Sequence, residues 1–500
     1  MKSINKSDFN NQKLFNALYI IESFLFLLLC FFIVPRSDDL IFGFNEFFQK
    51  TDIYSTLHSA VYYGNGRFLG NLFCILFTRI PKIFYFVEFI LVQIFCFVCE
   101  KVIEVKNTRI FILTLFLLQP IFMVKQIEAW ICGFINYFIP ILLLLFIFLI
   151  IKKSPDGLTL SKRIMRAVGI VVLGISEQLF IEHNAVVNLL IAITLLAVFA
   201  YKKKNVLEPV LLVLSNTVGC LLLFGYRLYI DYEQTWIYKY SPNFNRTILS
   251  LSGLSEIIKT VAGSLGTFIY FYFACIVIYT ILLAVILAAD KKDKSIKYKK
   301  PISFLLFLYY PAAAMVLVLY VFDSLDKMKF ALIILILFVL NFMAFAYSFI
   351  KAVLLKLPVQ LKWITIICFV YGAAAYVPFI LNGGTSAYRG CWFAYILIGL
   401  DTLLLVNHIR KEYELKFEKY LVIFSICACI VTASYIPVYA IQRDIYNYIA
   451  ENYKTEYYLP ESQIGLMPAD AEWRLAEGNI DHEFIPYKEF KEMQKNNQLK

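Results

Sequence analysis

Two adjacent carboxylates, Asp38 and Asp39, follow directly after an apolar run from Tyr19 to Val34. With its polar flanks this run is long enough to cross a bilayer, so the acidic pair is predicted to lie where a helix leaves the membrane. Neighbouring carboxylates repel each other, and one of them then holds its proton more tightly. Such a pair can act as a general base or as a cation ligand. The alternative is an ordinary solvated helix end.

A second group of polar and aromatic residues stands between two apolar runs. It contains Glu128, Trp130 and Asn136 in the segment 125–136, and Tyr137 directly after that segment. Asn and Tyr side chains hydrogen-bond to hydroxyl-rich ligands, so this segment is predicted to be a loop that lines a binding pocket. In the alternative interpretation, Trp130 and Tyr137 are anchors at the membrane interface.

A third group of polar residues lies at the end of the predicted span 165–181. Glu177-Gln178 is followed by Glu182-His183-Asn184. Gln178 and Glu182 are four residues apart, which predicts one polar helix face beside a wet cavity. No second histidine stands at ligand spacing from His183, so a hydrogen bond at a helix end is favoured and no metal ligand is predicted.

Few arginines fall in the segments predicted to face outward. Arg67 follows a glycine, and Arg389 lies in a glycine-containing stretch at 382–390. The planar guanidinium fork matches phosphate oxygens, so both are predicted to contact a lipid phosphate. For Arg227 and Arg246, snorkelling of the side chain to the membrane surface is the favoured interpretation.

These residues must be positioned by a membrane-embedded scaffold. The chain has 500 residues, of which 60% are hydrophobic, and its mean hydropathy is +0.70. One soluble core cannot hide that much apolar surface, so the composition predicts a multi-pass membrane protein.

The net charge of +11 is spread over short loops, which argues against a nucleic-acid partner. The 11 cysteines lack metal-ligand spacing and are interpreted as small core residues.

The predicted fold is an all-α polytopic bundle, because helices of about 20 apolar residues are what crosses a bilayer. About thirteen spans are predicted, at 17–34, 82–100, 109–124, 137–151, 165–181, 185–200, 206–225, 262–289, 302–322, 329–350, 362–381, 391–407 and 419–440. Lys and Arg cluster in alternate loops, which the positive-inside rule assigns to the cytoplasm. The amino terminus is then inside. The transmembrane domain is 1–441, and 442–500 is a small soluble extracytoplasmic tail.

The first outer loop is predicted to be 35–81. Apolar and polar residues alternate over 40–63 in a way that predicts one or two amphipathic helices on the outer surface. The apolar stretch 68–80 is too short to span and is interpreted as a re-entrant or interfacial piece.

Three motifs in this order carry a resemblance to a known family. They are Ser37-Asp38-Asp39, the segment 64–71 (Gly-Asn-Gly-Arg-Phe-Leu-Gly-Asn) and the segment 130–137 (Trp-Ile-Cys-Gly-Phe-Ile-Asn-Tyr). The chain thereby resembles the GT-C superfamily of multi-pass membrane glycosyltransferases, in particular its bacterial O-antigen glucosyltransferase-like and uncharacterised membrane-protein branches. The resemblance covers the first half of the chain through these motifs and the second half through architecture alone.

The resemblance implies an inverting transfer of a sugar from a polyprenyl-phosphate donor to a glycan or lipid acceptor, on the outer face of the bacterial plasma membrane. Asp38 or Asp39 would then be the catalytic base, and Arg67 with Arg389 would neutralise the departing lipid phosphate. The sugar or acceptor pocket would be lined by Glu128, Trp130, Asn136, Tyr137, Glu182 and His183. No cofactor is predicted, although an acidic pair also suits a divalent cation.

Two other functions fit part of the pattern. A flippase or transporter for a lipid-linked glycan shares the many spans, but carriers commonly place charged or broken segments near the membrane midplane. A long basic outer loop would favour an O-antigen-type polymerase or ligase. The predicted outer loop 226–261 is only moderately long and is not notably basic. The transferase is therefore the first hypothesis.

Overall fold

A computed structural model of the chain describes residues 6–34, 39, 52–61, 66–119, 123–153, 155, 157–225, 286, 289–290, 295–296, 349–354, 356–375, 392–413 and 418–452. Two compact units are present. The first comprises Met1–Arg246 with Val422–Lys500, and the second comprises Thr247–Leu421.

All regular secondary structure in the described part of the first unit is helical. Its helices are α1 (Lys6–Phe32), α2 (Ile53–Ser59), α3 (Phe68–Thr78), α4 (Pro81–Ile103), α5 (Thr108–Leu117), α6 (Ile131–Lys152), α7 (Leu160–Gln178), α8 (Glu182–Tyr201) and α9 (Leu207–Gly225). A π-helical turn, Val124–Glu128, precedes α6, and a second one, Phe134–Phe138, lies within it. Helix α1 packs against α4 and α5, while α7 packs against α6 and α9.

The second unit is described in fewer places. It contains a two-residue antiparallel strand pair, Ala289–Asp290 with Ser295–Ile296, a π-helical turn Phe349–Leu354, and helices α10 (Val359–Ala374) and α11 (Trp392–Tyr413). Helices α10 and α11 pack together, and the Thr365 hydroxyl donates a buried hydrogen bond of 3.0 Å to Asp401. The long helix α12 (Glu418–Asn452) belongs to the first unit from Val422 onward.

Seven helices within the described residues are long and apolar enough to cross a membrane. They are Gln12–Phe32, Pro81–Ile103, Ile131–Lys152, Glu182–Tyr201, Leu207–Gly225, Trp392–Glu412 and Glu418–Ile441. Each overlaps one predicted span, and the prediction of a helical membrane protein is confirmed at this coarser level. Orientation and the full number of about thirteen spans stay predictions.

The other predicted spans differ from the structure or lie outside its described residues. The span 109–124 corresponds to α5, which has 10 residues, and 362–381 corresponds to α10, which has 16. The predicted span 165–181 corresponds to helix α7, which begins five residues earlier, at Leu160. Because Lys162, Arg163 and Arg166 lie in its first turns, α7 is amphipathic rather than apolar throughout. Most of 262–289, 302–322 and 329–350 lies outside the described residues, as does the tail from 453.

The first outer loop is described in part. Helix α2 has seven residues and is capped by Asp52, whose side chain accepts a hydrogen bond from the Ser55 N–H. Most of the predicted amphipathic segment before it lies outside the described residues. Helix α3, with 11 residues, is too short to span, as the sequence predicts, and it packs against the start of α6.

The predicted loop 125–136 is wrong as a loop. Its residues form the π-helical turn Val124–Glu128 and the first turns of α6, and nearly all of them are buried. The physical reason is that Phe134, Ile135 and Phe138 add an apolar face to the polar residues, and burying that face in the bundle favours continued helix over an exposed loop.

Candidate functional site

Asp39 is fully buried and fastens the beginning of α6. Its carboxylate oxygens accept hydrogen bonds from the Ile131 N–H at 3.2 Å and from the Cys132 N–H at 2.9 Å. These amides belong to the first turn of a helix, whose N–H groups have no partner within the helix. The helix dipole also favours a negative charge at this end. The carboxylate is thus held in a defined orientation where the chain leaves α1.

Two further carboxyl groups lie near Asp39. Glu88 on α4 interacts electrostatically with both Glu128 and Asp39. Within the described part of the chain, both oxygens of Glu88 lack a hydrogen-bond partner. One oxygen of Glu128 also lacks one. Burial raises the pKa of Glu128 well above its usual range, because the charged form loses its hydration. Burial therefore favours the neutral carboxyl form of Glu128 more than in an ordinary glutamate, and that form can both donate and accept hydrogen bonds.

The turn between Glu128 and α6 is tightly packed. Trp130 is buried at the position just before α6 and has an extended backbone. A Cβ atom at Gly133 would lie 2.2 Å from the Gln126 carbonyl oxygen and 2.4 Å from the Trp130 ring. Only glycine fits there, so Gly133 allows the π-helical turn to fold over the first turn of α6 and holds Trp130 in place.

Asn136 joins α6 to α3. Its Nδ2 donates to the Cys132 carbonyl at 2.8 Å and lies 3.4 Å from Cys74 Sγ on α3. A Cβ atom at Gly70 would lie 2.2 Å from Asn136 Oδ1, so the two helices approach closely at this point. Asn136 Oδ1 is buried and makes no hydrogen bond to any described residue. An acceptor of this kind is available to a hydroxyl group.

An ion pair connects the start of α3 with the start of α8. Arg67 donates to Glu182 Oε2 from Nε at 3.0 Å and from Nη2 at 2.7 Å. The two side chains are 24% and 19% exposed, respectively. Because Glu182 balances its charge, Arg67 supplies less net positive charge to a lipid phosphate than the sequence interpretation assumes.

Next to this ion pair, α6 and α8 are joined by an aromatic contact. The Tyr137 and His183 rings lie 5.3 Å apart, and both side chains are buried. Backbone contacts support the same arrangement, since the Gly70 N–H donates to the Leu179 carbonyl at 3.2 Å in the turn before α8. The starts of α3, α6 and α8 therefore form one continuous cluster.

Eight of the ten predicted site residues are described, and contacts between their helices link them into this cluster. They are Asp39, Arg67, Glu128, Trp130, Asn136, Tyr137, Glu182 and His183. Asp38 and Arg389 lie outside the described residues. The catalytic and binding roles of all ten stay predictions.

Two sequence interpretations need correction. Gln178 and Glu182 do not share a helix face, because α7 ends at Gln178 and α8 begins at Glu182 after a turn. Glu88, which the sequence analysis does not single out, belongs to the acidic group beside Asp39. An intramembrane carboxylate is a functional candidate by default, and that signal was available in the sequence.

Within the described ranges, no group of three or more His, Cys, Asp or Glu side chains is arranged to hold a metal ion. No protein-family model, curated protein or solved structure matches the chain.

Proposed function

We propose that this protein is a GT-C-type membrane glycosyltransferase. It would move a sugar from a polyprenyl-phosphate donor to a cell-envelope glycan or lipid acceptor, on the outer face of a bacterial plasma membrane, with inversion. The observation that carries the proposal is the position of Asp39, a buried carboxylate at the exit of the first span, held against a helix start among residues suited to sugar binding.

The proposed reaction needs a base near the acceptor hydroxyl. That base must lie within about 3 Å of the proton that it removes. In the proposal one member of the Asp38–Asp39 pair has this role, and two main-chain hydrogen bonds hold the carboxylate of Asp39. The acceptor oxygen attacks the anomeric carbon, the bond from that carbon to the phosphate oxygen breaks, and the lipid phosphate departs with the electron pair.

Sugar recognition would use the neutral polar groups of the cluster. Asn136 Oδ1 and the Glu128 carboxyl group offer hydrogen-bonding atoms to sugar hydroxyls. Trp130 and Tyr137 supply aromatic faces at the same end of α6. Arg67 and Arg389 would neutralise the lipid phosphate, with Arg67 exchanging its Glu182 contact for the phosphate.

The topology in the proposal has the amino terminus in the cytoplasm, about thirteen spans, and the segment 442–500 outside. A reporter fused after residue 442 tests this orientation. Activity of a periplasmic-type reporter supports it, whereas activity of a cytoplasmic-type reporter contradicts it.

A second candidate is a carrier for a lipid-linked glycan. The observation that favours it is that Glu22, Glu88 and Glu177 are fully buried on α1, α4 and α7. Carboxylates within helices are typical of transport pathways. The polymerase or ligase alternative depends on 226–261, which lie outside the described residues.

Glycan analysis separates the two candidates. Surface glycans and lipid-linked sugars are compared between cells that have the intact gene and cells in which it is deleted. The transferase predicts a surface glycan that lacks one sugar, together with accumulation of the polyprenyl-phosphate sugar. Accumulation of a complete lipid-linked glycan on the cytoplasmic side would favour the carrier and overturn the proposal.

A further inference from the structure

A layer of polar side chains crosses the three-helix group formed by α7, α8 and α9. These helices are joined by short turns and pack side by side, so successive helices run in opposite directions. An apolar layer is formed by Ile170, Ala192 and Leu212, which are buried in one cluster. Residues one or two turns farther along each helix lie on the same faces.

The residues at these positions, over the next two turns, are polar. They are Glu177 on α7, Asn184 and Asn188 on α8, and Asn216 on α9. All four are at most 1% exposed. Because Asn188 precedes Ala192 by one turn and Asn216 follows Leu212 by one turn, both amides extend the faces that meet in the apolar layer.

Most polar atoms of this layer make no hydrogen bond. Among the described residues, Glu177 Oε2 and both amide atoms of Asn184, Asn188 and Asn216 have no partner. Glu177 Oε1 accepts from Gln178 Nε2 at 3.3 Å. The Asn216 amide lies beside Glu177 without meeting hydrogen-bond geometry. Buried polar atoms nearly always have partners, so seven without any point to a ligand.

The space around the layer limits the size of that ligand. A Cβ atom at Gly174 would lie 2.3 Å from Ser215 Oγ and 3.0 Å from Asn216 Oδ1. A Cβ atom at Gly219 would lie 2.6 Å from Gln178 Cβ. Glycines therefore let α7 and α9 approach closely, and an object as large as a sugar does not fit between them.

The chemistry of the side chains selects the kind of ligand. One carboxylate and three amide carbonyls offer hard oxygen ligands with a single negative charge. Divalent cations such as Ca²⁺ are usually bound by several carboxylates and by six to eight oxygens. We propose that Glu177, Asn184, Asn188 and Asn216 bind one sodium ion within the helix group.

Bound sodium would stabilise the start of α8, which belongs to the candidate site. Asn184 follows Glu182 and His183 in the first turn of α8, so a ligand that fixes Asn184 also fixes the helix start that contacts Arg67 and Tyr137. This inference concerns cation binding and does not depend on which group is transferred. Its test therefore uses stability rather than transfer.

The test is thermal unfolding of the purified full-length protein in detergent, in NaCl, KCl and choline chloride at equal ionic strength. A ligand that binds only the folded state raises Tm, and the rise grows with ligand concentration. The expected result is a higher Tm in NaCl than in either other salt, increasing with sodium concentration. Equal Tm values in NaCl and choline chloride would overturn the proposal in favour of buried water, and an equal response to KCl would overturn sodium as the ion.

Variants locate the effect. Glu177→Gln and Asn188→Leu should each lower the apparent sodium affinity by about tenfold or more, which appears as a Tm curve displaced to higher sodium concentration. The matched control is Glu22→Gln, which changes a buried glutamate that already bonds to Ser425 and Thr114. The control should keep the sodium response of the unchanged protein. Unchanged affinity in both site variants would contradict the assignment.

Discussion

Asp39 provides a quantitative prediction about how the candidate site is held together. Its two carboxylate oxygens accept the N–H groups of Ile131 and Cys132 and are sealed from solvent. Asp39→Ala removes both acceptors and leaves two helix-start N–H groups without their partner. Asp39→Asn keeps one oxygen acceptor but removes the negative charge that the helix start favours.

The expected magnitudes follow from these two bonds. A hydrogen bond to a charged group contributes roughly 1.5–3 kcal/mol, and replacing a helix-capping side chain costs about 0.5–2 kcal/mol. The Cys132 bond is shorter than the Ile131 bond by 0.3 Å (3.2 − 2.9) and should carry the larger share. We therefore expect Asp39→Ala to lower the free energy of unfolding by about 3 kcal/mol, and Asp39→Asn by about half of that.

Equilibrium unfolding in mixed detergent micelles measures these changes. The matched control is Asp52→Ala, because Asp52 also caps a helix, at 2.8 Å from the Ser55 N–H, but from an exposed position. The control should have a much smaller effect, since water replaces the lost acceptor. A loss below about 0.5 kcal/mol for Asp39→Ala would refute the reasoning that this carboxylate anchors the start of α6.

Three further predictions concern the neighbouring contacts. Gly70→Ala should lower Tm and sugar transfer together, because the added methyl group would lie 2.2 Å from Asn136 Oδ1; unchanged values would contradict the close approach. The variants Arg67→Ala and Glu182→Ala and the double variant should show a coupling free energy of about 1–2 kcal/mol in unfolding. Zero coupling would contradict a stabilising ion pair between the two side chains. The stability of the unchanged protein includes a contribution from Glu128 that is present below its unfolded pKa of about 4.3 and is lost as pH rises toward its raised folded pKa. Glu128→Gln should therefore raise Tm at about pH 8 and change it little at about pH 4, and equal Tm changes at both would exclude this linkage.

Hydropathy predicted the large features of the fold because apolar length is what a bilayer selects. Seven predicted spans correspond to the seven helices that can cross a membrane. Hydropathy failed where a polar residue faces the protein interior. The segment 125–136 looked like a loop because of Glu128 and Asn136, but both side chains are buried inside the bundle. A one-dimensional average cannot distinguish a polar residue in water from one packed against a neighbouring helix.

The candidate site was predictable in part for a related reason. Residue chemistry and the predicted topology placed Arg67 and Glu182 on the same side, and the structure pairs them at 2.7 Å. Sequence spacing alone could not reveal that pairing, since the partners are 115 residues apart. Glu88 was missed because the residues around it in sequence form an apolar helix. Its acidic neighbours, Glu128 and Asp39, come from other segments of the chain.

The central claim is that the acidic pair after the first span serves as the base for sugar transfer. The most direct measurement is transfer of a labelled sugar from a polyprenyl-phosphate donor in membranes that contain the unchanged protein, Asp38→Asn, Asp39→Asn or the double variant, at matched amounts of folded protein. The account predicts that the double variant loses transfer while it still folds and inserts into the membrane. Transfer by the double variant at the rate of the unchanged protein would contradict it.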